Sequence, residues 1–220
     1  MKPKISVVIL EDHQAIIDGY LYRLSGAADI QVAATPMYGD ELEPLLAGQA
    51  VDVLILDISV PTSAGNPNPY PILYLIPKLL ERYPEIEILV ISMHNNRTMV
   101  NAVLEAGASG YILKDDRAAI LDLASIIRQI HGGGIYLSQP IADLLKKHQG
   151  ASGVPLTPRQ IEVLSYCAAY PDLTTAAIAK AMQIANSTVR NQLSEIYLRL
   201  GVSNRASAVA RARAMGLVGE

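Results

Sequence analysis

An α/β domain with a doubly wound, five-stranded parallel sheet, followed by an all-α domain, is the architecture this sequence predicts. Three observations carry the prediction. Short β-branched runs alternate with longer helical patterns through residues 1–131. A glycine triplet, Gly132-Gly133-Gly134, ends that alternation. From Leu156 onward strand patterns cease, and four short helical patterns remain.

Strands are expected at 4–10, 30–35, 53–57, 86–92 and 109–113. Each is short, rich in Val, Ile and Leu, and mostly apolar on both faces, as parallel strands are when helices cover both sides. Helices are expected at 13–25, 40–47, 72–83, 95–106 and 117–131. Five βα repeats imply an open sheet with a site at the carboxyl ends of its strands. The glycine triplet reads as a flexible joint, because glycines lose much entropy when ordered. Beyond it, 139–149 fits a short helix with Pro140 in its first turn. Gly150-Ala151-Ser152-Gly153 then marks a second boundary. The chain thus divides into a domain at 1–131, a linker at 132–155 and a domain at 156–220. The last carries helices near 158–169, 174–182, 186–200 and 204–215. Thr157 is the N-cap of the first of these, with Pro158 at its first position.

Charge separates the two domains. Residues 1–131 carry 9 Lys/Arg against 16 Asp/Glu, whereas residues 156–220 carry 7 against 4. A basic second domain is compatible with a phosphate-bearing polymer as partner. No apolar run approaches the ~18 residues that span a bilayer, so no membrane role is expected. The start, Met1-Lys2-Pro3-Lys4, leads into a strand without a small-residue cleavage site, so no signal peptide is expected. The single cysteine, Cys167, excludes an intrachain disulfide and fits a reducing, cytoplasmic setting.

Strand ends converge in such a sheet. Glu11 and Asp12 follow the first strand, Asp57 closes the third, Ser92 closes the fourth and Lys114 follows the fifth. Three gathered carboxylates repel one another, and a hard divalent cation, Mg²⁺, relieves the repulsion. Lys114 adds a mobile cation for a phosphoryl oxygen, and Ser92 a short hydroxyl donor. A carboxylate so flanked is equipped for in-line attack on phosphorus. Taken singly, each residue has a bland account as helix cap, solvated charge or core. Their joint order and strand context point to chemistry.

Val8-Ile9-Leu10-Glu11-Asp12-His13, Ile55-Leu56-Asp57, Leu89-Val90-Ile91-Ser92 and Gly110-Tyr111-Ile112-Leu113-Lys114-Asp115 resemble the blocks of two-component response-regulator receivers, which are flavodoxin-like. The resemblance covers residues 4–131. It implies that Asp57 accepts a phosphoryl group from a sensor histidine kinase, and that Glu11, Asp12, Asp57 and the Ser59 carbonyl bind Mg²⁺. It also implies that Ser92 and Tyr111 form a switch pair, moving toward the phosphoryl group and burying the ring. One departure is the loop 58–71, several residues longer than the family's, with four prolines. It borders the pocket, where it either alters metal access, kinase recognition or phosphoryl lifetime, or is a tolerated surface insertion.

In the second domain, 174–182 and 186–200 form a helix-turn-helix, whose second helix enters the major groove. Val189, Leu193, Ile196, Tyr197 and Leu200 share its core face. Ser187, Arg190, Asn191 and Ser194 point elsewhere, toward base edges, where arginine suits guanine and asparagine suits adenine. Lys180, Thr188, Gln192 and Arg199 are better placed for phosphates. Residues 156–218 resemble the LuxR/NarL-type output domain through Leu156-Thr157-Pro158-Arg159-Gln160, Thr188-Val189-Arg190-Asn191 and Leu200-Gly201-Val202-Ser203-Asn204-Arg205. That resemblance implies a homodimer on paired half-sites of double-stranded DNA, joined through the helix at 204–215. Departures are Ala177 for a usual Glu, Gln192 for a common His, and Ala185 for a capping Ser, which moves the expected cap to Asn186. The whole reads as a regulator of transcription gated by phosphorylation of Asp57. An alternative keeps DNA binding but gives the receiver a dimerisation or other ligand role. An enzyme acting on small molecules is not expected, since Asp57-Ile58-Ser59 lacks a second acid two residues on.

Overall fold

The computed structural model describes residues 4–146 and 156–218. Its N-terminal domain runs β1 (Ile5–Leu10), α1 (Gln14–Leu24), β2 (Ile30–Ala34), a 3-10 turn (Gly39–Glu41), α2 (Leu42–Gly48) and β3 (Val53–Leu56). It continues through β4 (Pro61–Ser63), β5 (Asn66–Pro69), α3 (Ile72–Arg82), β6 (Glu87–Ser92), α4 (Arg97–Glu105), β7 (Gly110–Leu113), α5 (Arg117–Leu121) and α6 (Leu123–His131). After β8 (Tyr136–Leu137) and α7 (Gln139–Lys146), the C-terminal domain holds α8 (Pro158–Ala169), α9 (Thr175–Met182), α10 (Asn186–Leu200) and α11 (Arg205–Ala214).

The main sheet has the order β2-β1-β3-β6-β7-β8, and every neighbouring pair is parallel. Alternate residues of each strand face opposite layers, as the pleat requires. Val8, Leu10, Leu54 and Leu56 pack with α2, α3 and α4 through Leu42, Ile76 and Val103. Val7, Ile9 and Ile55 pack with α1 and α6 through Tyr20, Leu24, Ile126 and Ile130. Burial on both faces is what the continuous apolar strands required. Pro77 lies inside α3, yet Ile76, Leu79 and Leu80 remain buried around it.

Four expectations need correction. The sheet has six strands rather than five, because Tyr136 and Leu137 pair with Gly110 and Tyr111. The glycine triplet is an ordered turn rather than a loose joint. Gly132, Gly133 and Gly134 each donate an N–H to carbonyls of α6, at Arg128, Ile130 and Gln129. Ile135 then enters the core of the C-terminal domain, before β8 and α7 return the chain to the sheet and core of the first domain. The helix expected at 117–131 breaks at Asp122, where the backbone leaves helical geometry. Finally, the long loop after Asp57 folds into the β4–β5 hairpin. It is closed by the Tyr70 N–H on the Val60 carbonyl at 2.9 Å. The Tyr70 ring lies where a Cβ on Gly39 would be, so glycine alone admits that contact. The expected helix at 139–149 is present as α7, and its last residues and the boundary at 150–153 lie outside the described residues.

Arg128 of α6 grips Asp29 with both Nε and Nη2, at 2.7 and 2.8 Å. The paired N–H groups hold the Asp29 carboxyl down at about 2. A depressed folded-state value means a contribution present above the ordinary carboxylate range and lost as pH falls toward that figure. We expect Arg128→Ala to return Asp29 to an ordinary titration in carboxylate-detected NMR. The pair is exposed, so thermal stability at neutral pH should hardly change.

Candidate functional site

Five of the polar residues singled out in the sequence meet at the carboxyl edge of the sheet. Glu11 follows β1 and is buried, as is Asp57 immediately after β3. Lys114, one residue past β7, places Nζ 2.7 Å from Glu11 Oε2 and 2.9 Å from Asp57 Oδ2. Burial works to lower the lysine's affinity for its proton, but bonds and charge from the two carboxylates outweigh it and raise its pKa. Asp12 lies at the rim, half-buried. Its Oδ1 is 2.8 Å from His13 Nδ1, and this bond leads the raising of the imidazole's pKa. Ligand atoms of Glu11, Asp12 and His13 lie within 4.8 Å of one another, a set that could hold a cation. The oxygen donors suit a hard ion such as Mg²⁺, with Lys114 partly neutralising the same charges.

Ser92 and Tyr111 are fully buried. The Tyr111 ring lies among the core residues of the receiver. Its hydroxyl donates to the His94 carbonyl at 2.7 Å, and the His94 N–H donates to Ser92 Oγ at 3.2 Å. Burial leads in raising the phenol's pKa. Ser59 is exposed, with Oγ 3.2 Å from His94 Nε2.

The helix-turn-helix forms as expected. Thr157 and Gln160 make a reciprocal capping box on α8, and Thr174 caps α9. Val189, Leu193, Ile196 and Tyr197 enter the C-terminal core with Val163, Leu164, Ile178 and Ala208. Asn186 does not cap α10: Ala185 holds that position without a side-chain bond, and the Asn186 amide instead donates to the Pro84 carbonyl. That contact belongs to a larger arrangement, for α10 lies against α3, α4 and α7 of the first domain. Arg190, 1% exposed, donates from Nη2 to the Ile86 carbonyl at 2.6 Å and lies 3.1 Å from Glu87 Oε1. Asn191 Nδ2 donates to the Glu105 carbonyl at 2.7 Å. Ser187 abuts Gly107, whose φ of +106° and lack of a Cβ both permit the approach. Ser194 is also buried, whereas Lys180 is exposed and Thr188, Gln192 and Arg199 are half-buried. In this closed arrangement Arg190 Nε and Nη1, Asn186 Oδ1, Asn191 Oδ1 and Ser194 Oγ have no hydrogen-bond partner among the described residues.

Residues 7–125 match the response regulator receiver domain family, and residues 154–212 match the bacterial regulatory proteins of the luxR family. The chain is a response regulator. It is 30% identical to the transcriptional regulatory protein UhpA of Salmonella typhimurium, over 91% of this chain and 93% of that one. With the transcriptional regulatory protein DegU of Brevibacillus brevis it shares 28%, over 98% and 95%. The response regulator RcsB of Salmonella typhimurium superposes with a TM-score of 0.57 at 25% identity, covering 96% of this chain and 98% of that one. A structure of two RcsB dimers bound to two parallel DNAs, at 24% identity and a TM-score of 0.58, has the same fold over 96% and 98%. This response regulator is therefore a transcriptional regulator with a receiver and a LuxR-type helix-turn-helix domain. No helix among its described residues is long and apolar enough to cross a membrane.

Two groups escaped the sequence reading of the response regulator. His13 sits beside the Glu11 and Asp12 carboxylates, and its position next to Glu11-Asp12 was a usable signal. Glu87 reads as an ordinary first residue of a strand, yet it is 6% exposed and accepts from Ser109 Oγ and, at 3.4 Å, from Thr175 Oγ1. Its carboxyl is pushed up by burial, against the pull of Arg190 and its hydroxyl donors. No sequence pattern announces a partner lying in another domain.

Proposed function

We propose that this regulator accepts a phosphoryl group from a sensor histidine kinase on Asp57, and that the transfer gates sequence-specific binding of α10 to double-stranded DNA. The observation that carries the reading is the placement of Lys114 Nζ within 2.9 Å of both the Asp57 and Glu11 carboxylates. An Asp57 oxygen attacks phosphorus as the bond to the donor's histidine nitrogen breaks, and Lys114 transfers its hydrogen bond from Asp57 to a phosphoryl oxygen. Glu11, Asp12, Asp57 and the Ser59 carbonyl would hold Mg²⁺, which supplies positive charge against the phosphoryl oxygens. Ser92 offers a hydroxyl to the same group, and Tyr111 beside it completes the switch pair.

Ser187, Arg190, Asn191 and Ser194 read base edges, and Lys180, Thr188, Gln192 and Arg199 contact phosphates. The closed arrangement covers the first four, so DNA binding requires the domains to separate. The open protein acts in the cytoplasm as a homodimer on paired half-sites, joined through α11, and turns over no small-molecule substrate. One observation favours a second reading. The ordered β4–β5 hairpin, which begins four residues after Asp57, suits a regulator that binds DNA independently of phosphorylation and whose receiver serves dimerisation or another ligand.

Incubation with Mg²⁺ and acetyl phosphate, followed by intact-mass measurement, separates the two. One added phosphoryl group is expected in the wild type and none in Asp57→Ala. Addition without any change in DNA affinity would favour the second reading.

A further inference from the structure

A buried cation without an anion stands beside the glycine turn that follows α6. Arg205, the first residue of α11, is 9% exposed, and none of the ion pairs among the described residues includes it. Its Nη1 donates to the carbonyls of Pro171, at 3.3 Å, and Leu173, while the buried Nε and Nη2 have no hydrogen-bond partner among the described residues. A guanidinium taken out of water is ordinarily matched by a negative charge, because neutral acceptors return only part of what desolvation costs.

This side chain stands in the wall of a cavity of about 720 Å³, a size suited to a small molecule. Pro171, whose carbonyl it binds, lines the cavity, and so does Cys167, whose thiol pKa its charge works to lower against burial. Its Nη2 lies 2.5 Å from where a Cβ of Gly133 would be, between the lining residues Gly132 and Gly134, and that glycine's φ of +77° also disfavours a side chain. The exposed Arg213 lines the same space, and no described lining residue is acidic. The first turn of α11 adds the positive end of a helix through Asn204 and Ala206, and Ala168, Val209 and Ala210 give the remaining wall an apolar surface.

We propose that this cavity binds a small organic anion, a carboxylate or phosphate head on an apolar body, with Arg205 and Arg213 supplying charge to the head. Gln129 on the receiver side and Val209 on α11 both line the space, so an occupant touches both domains. The regulator thereby gains a chemical input separate from Asp57, one that requires neither phosphorylation nor DNA.

The test follows the amide resonances of Gly133, Gly134 and Val209 in the nitrogen-15-labelled full chain as 2-naphthoate, 1-naphthyl phosphate or the uncharged 2-naphthamide is added. Saturable shifts with at least one anion are expected, at an affinity ~10-fold or more above that for the amide, the gain that a hydrogen bond to a charged group brings. The tighter anion identifies the head group. Ala210→Glu sets a carboxylate into the cavity from an exposed helix position and should abolish the shifts, whereas Ala214→Glu, one turn further along α11 and outside the lining, should leave them. Both variants should keep the wild-type circular dichroism, which separates a blocked site from an unfolded domain. Absence of saturable shifts with either anion up to its solubility limit would overturn the proposal. Equal affinity for the amide would do the same, as would undiminished anion binding by a folded Ala210→Glu.

Discussion

Lys114→Ala is expected to destabilise the receiver by about 3 kcal/mol in metal-free solution, the lower end of the range for removing one partner of a buried ion pair. The lysine side chain is 9% exposed and bridges two carboxylates that are almost completely buried. Without it, the Glu11 and Asp57 carboxylates face each other in a poorly solvated pocket with no cation between them, which pushes the strand ends apart. Asp12 at the rim is partly open to solvent, which keeps the loss at the low end of that range. One feature distinguishes this origin from simple loss of packing. Added Mg²⁺ should raise the variant's urea midpoint more than the wild type's, since the ion replaces the missing charge. A midpoint that does not fall, or that ignores Mg²⁺, would contradict the account of Lys114 as the charge balancing this pocket.

Leu193→Ala should have the largest effect on the C-terminal domain. Leu193 is fully buried in α10, in one core with Val163, Leu164, Ile178 and Val189. Truncation of such a leucine costs ~2–5 kcal/mol through lost transfer energy and the cavity left behind. A domain of about 60 residues has little stability to spare, so it should lose its cooperative helical transition near physiological temperature. The receiver, with separate cores on the two faces of its sheet, should still accept phosphoryl groups from acetyl phosphate. Circular dichroism melts should therefore show one early transition and one near its wild-type position, together with loss of duplex binding.

Both domains were legible because their signals are local and repeated. Continuous apolar runs such as Val53–Leu56 have few folded uses other than a strand covered on both faces. Thr157-Pro158 fixes the start of α8 by two independent effects, capping and a preset φ. The acidic residues were legible for a topological reason, since parallel strands deliver Glu11, Asp57 and Lys114 to one edge wherever they stand in the chain. Other features left weaker traces. Tyr136-Leu137 is too short to show alternation, and its pairing depends on an edge that only the folded sheet provides. The β4–β5 hairpin carries prolines at 61, 67 and 69, residues that ordinarily argue against strands, and it survives as an isolated two-stranded ribbon where unpaired edges are harmless. Asp122 interrupts a helical pattern whose apolar period continues on both sides. The roles of Glu87 and of Asn186 depend on docking between domains, and an acidic residue at a strand start or an Asn near a helix start has several commoner explanations.

The unpartnered atoms on α10 carry a consequence for how such a molecule can evolve. Arg190 Nε and Nη1, the side-chain oxygens of Asn186 and Asn191, and Ser194 Oγ are buried in the docked face without a hydrogen-bond partner among the described residues. A buried polar group left unpaired costs about 1–3 kcal/mol, so a face with several of them seals less tightly than a fully paired one. On the reading proposed for α10, selection cannot perfect it by changing Arg190, Asn191 or Ser194, because the same side chains would also have to fit an operator. A helix that serves two surfaces is held to compromise on both, and that imperfection keeps release within reach of a modest signal.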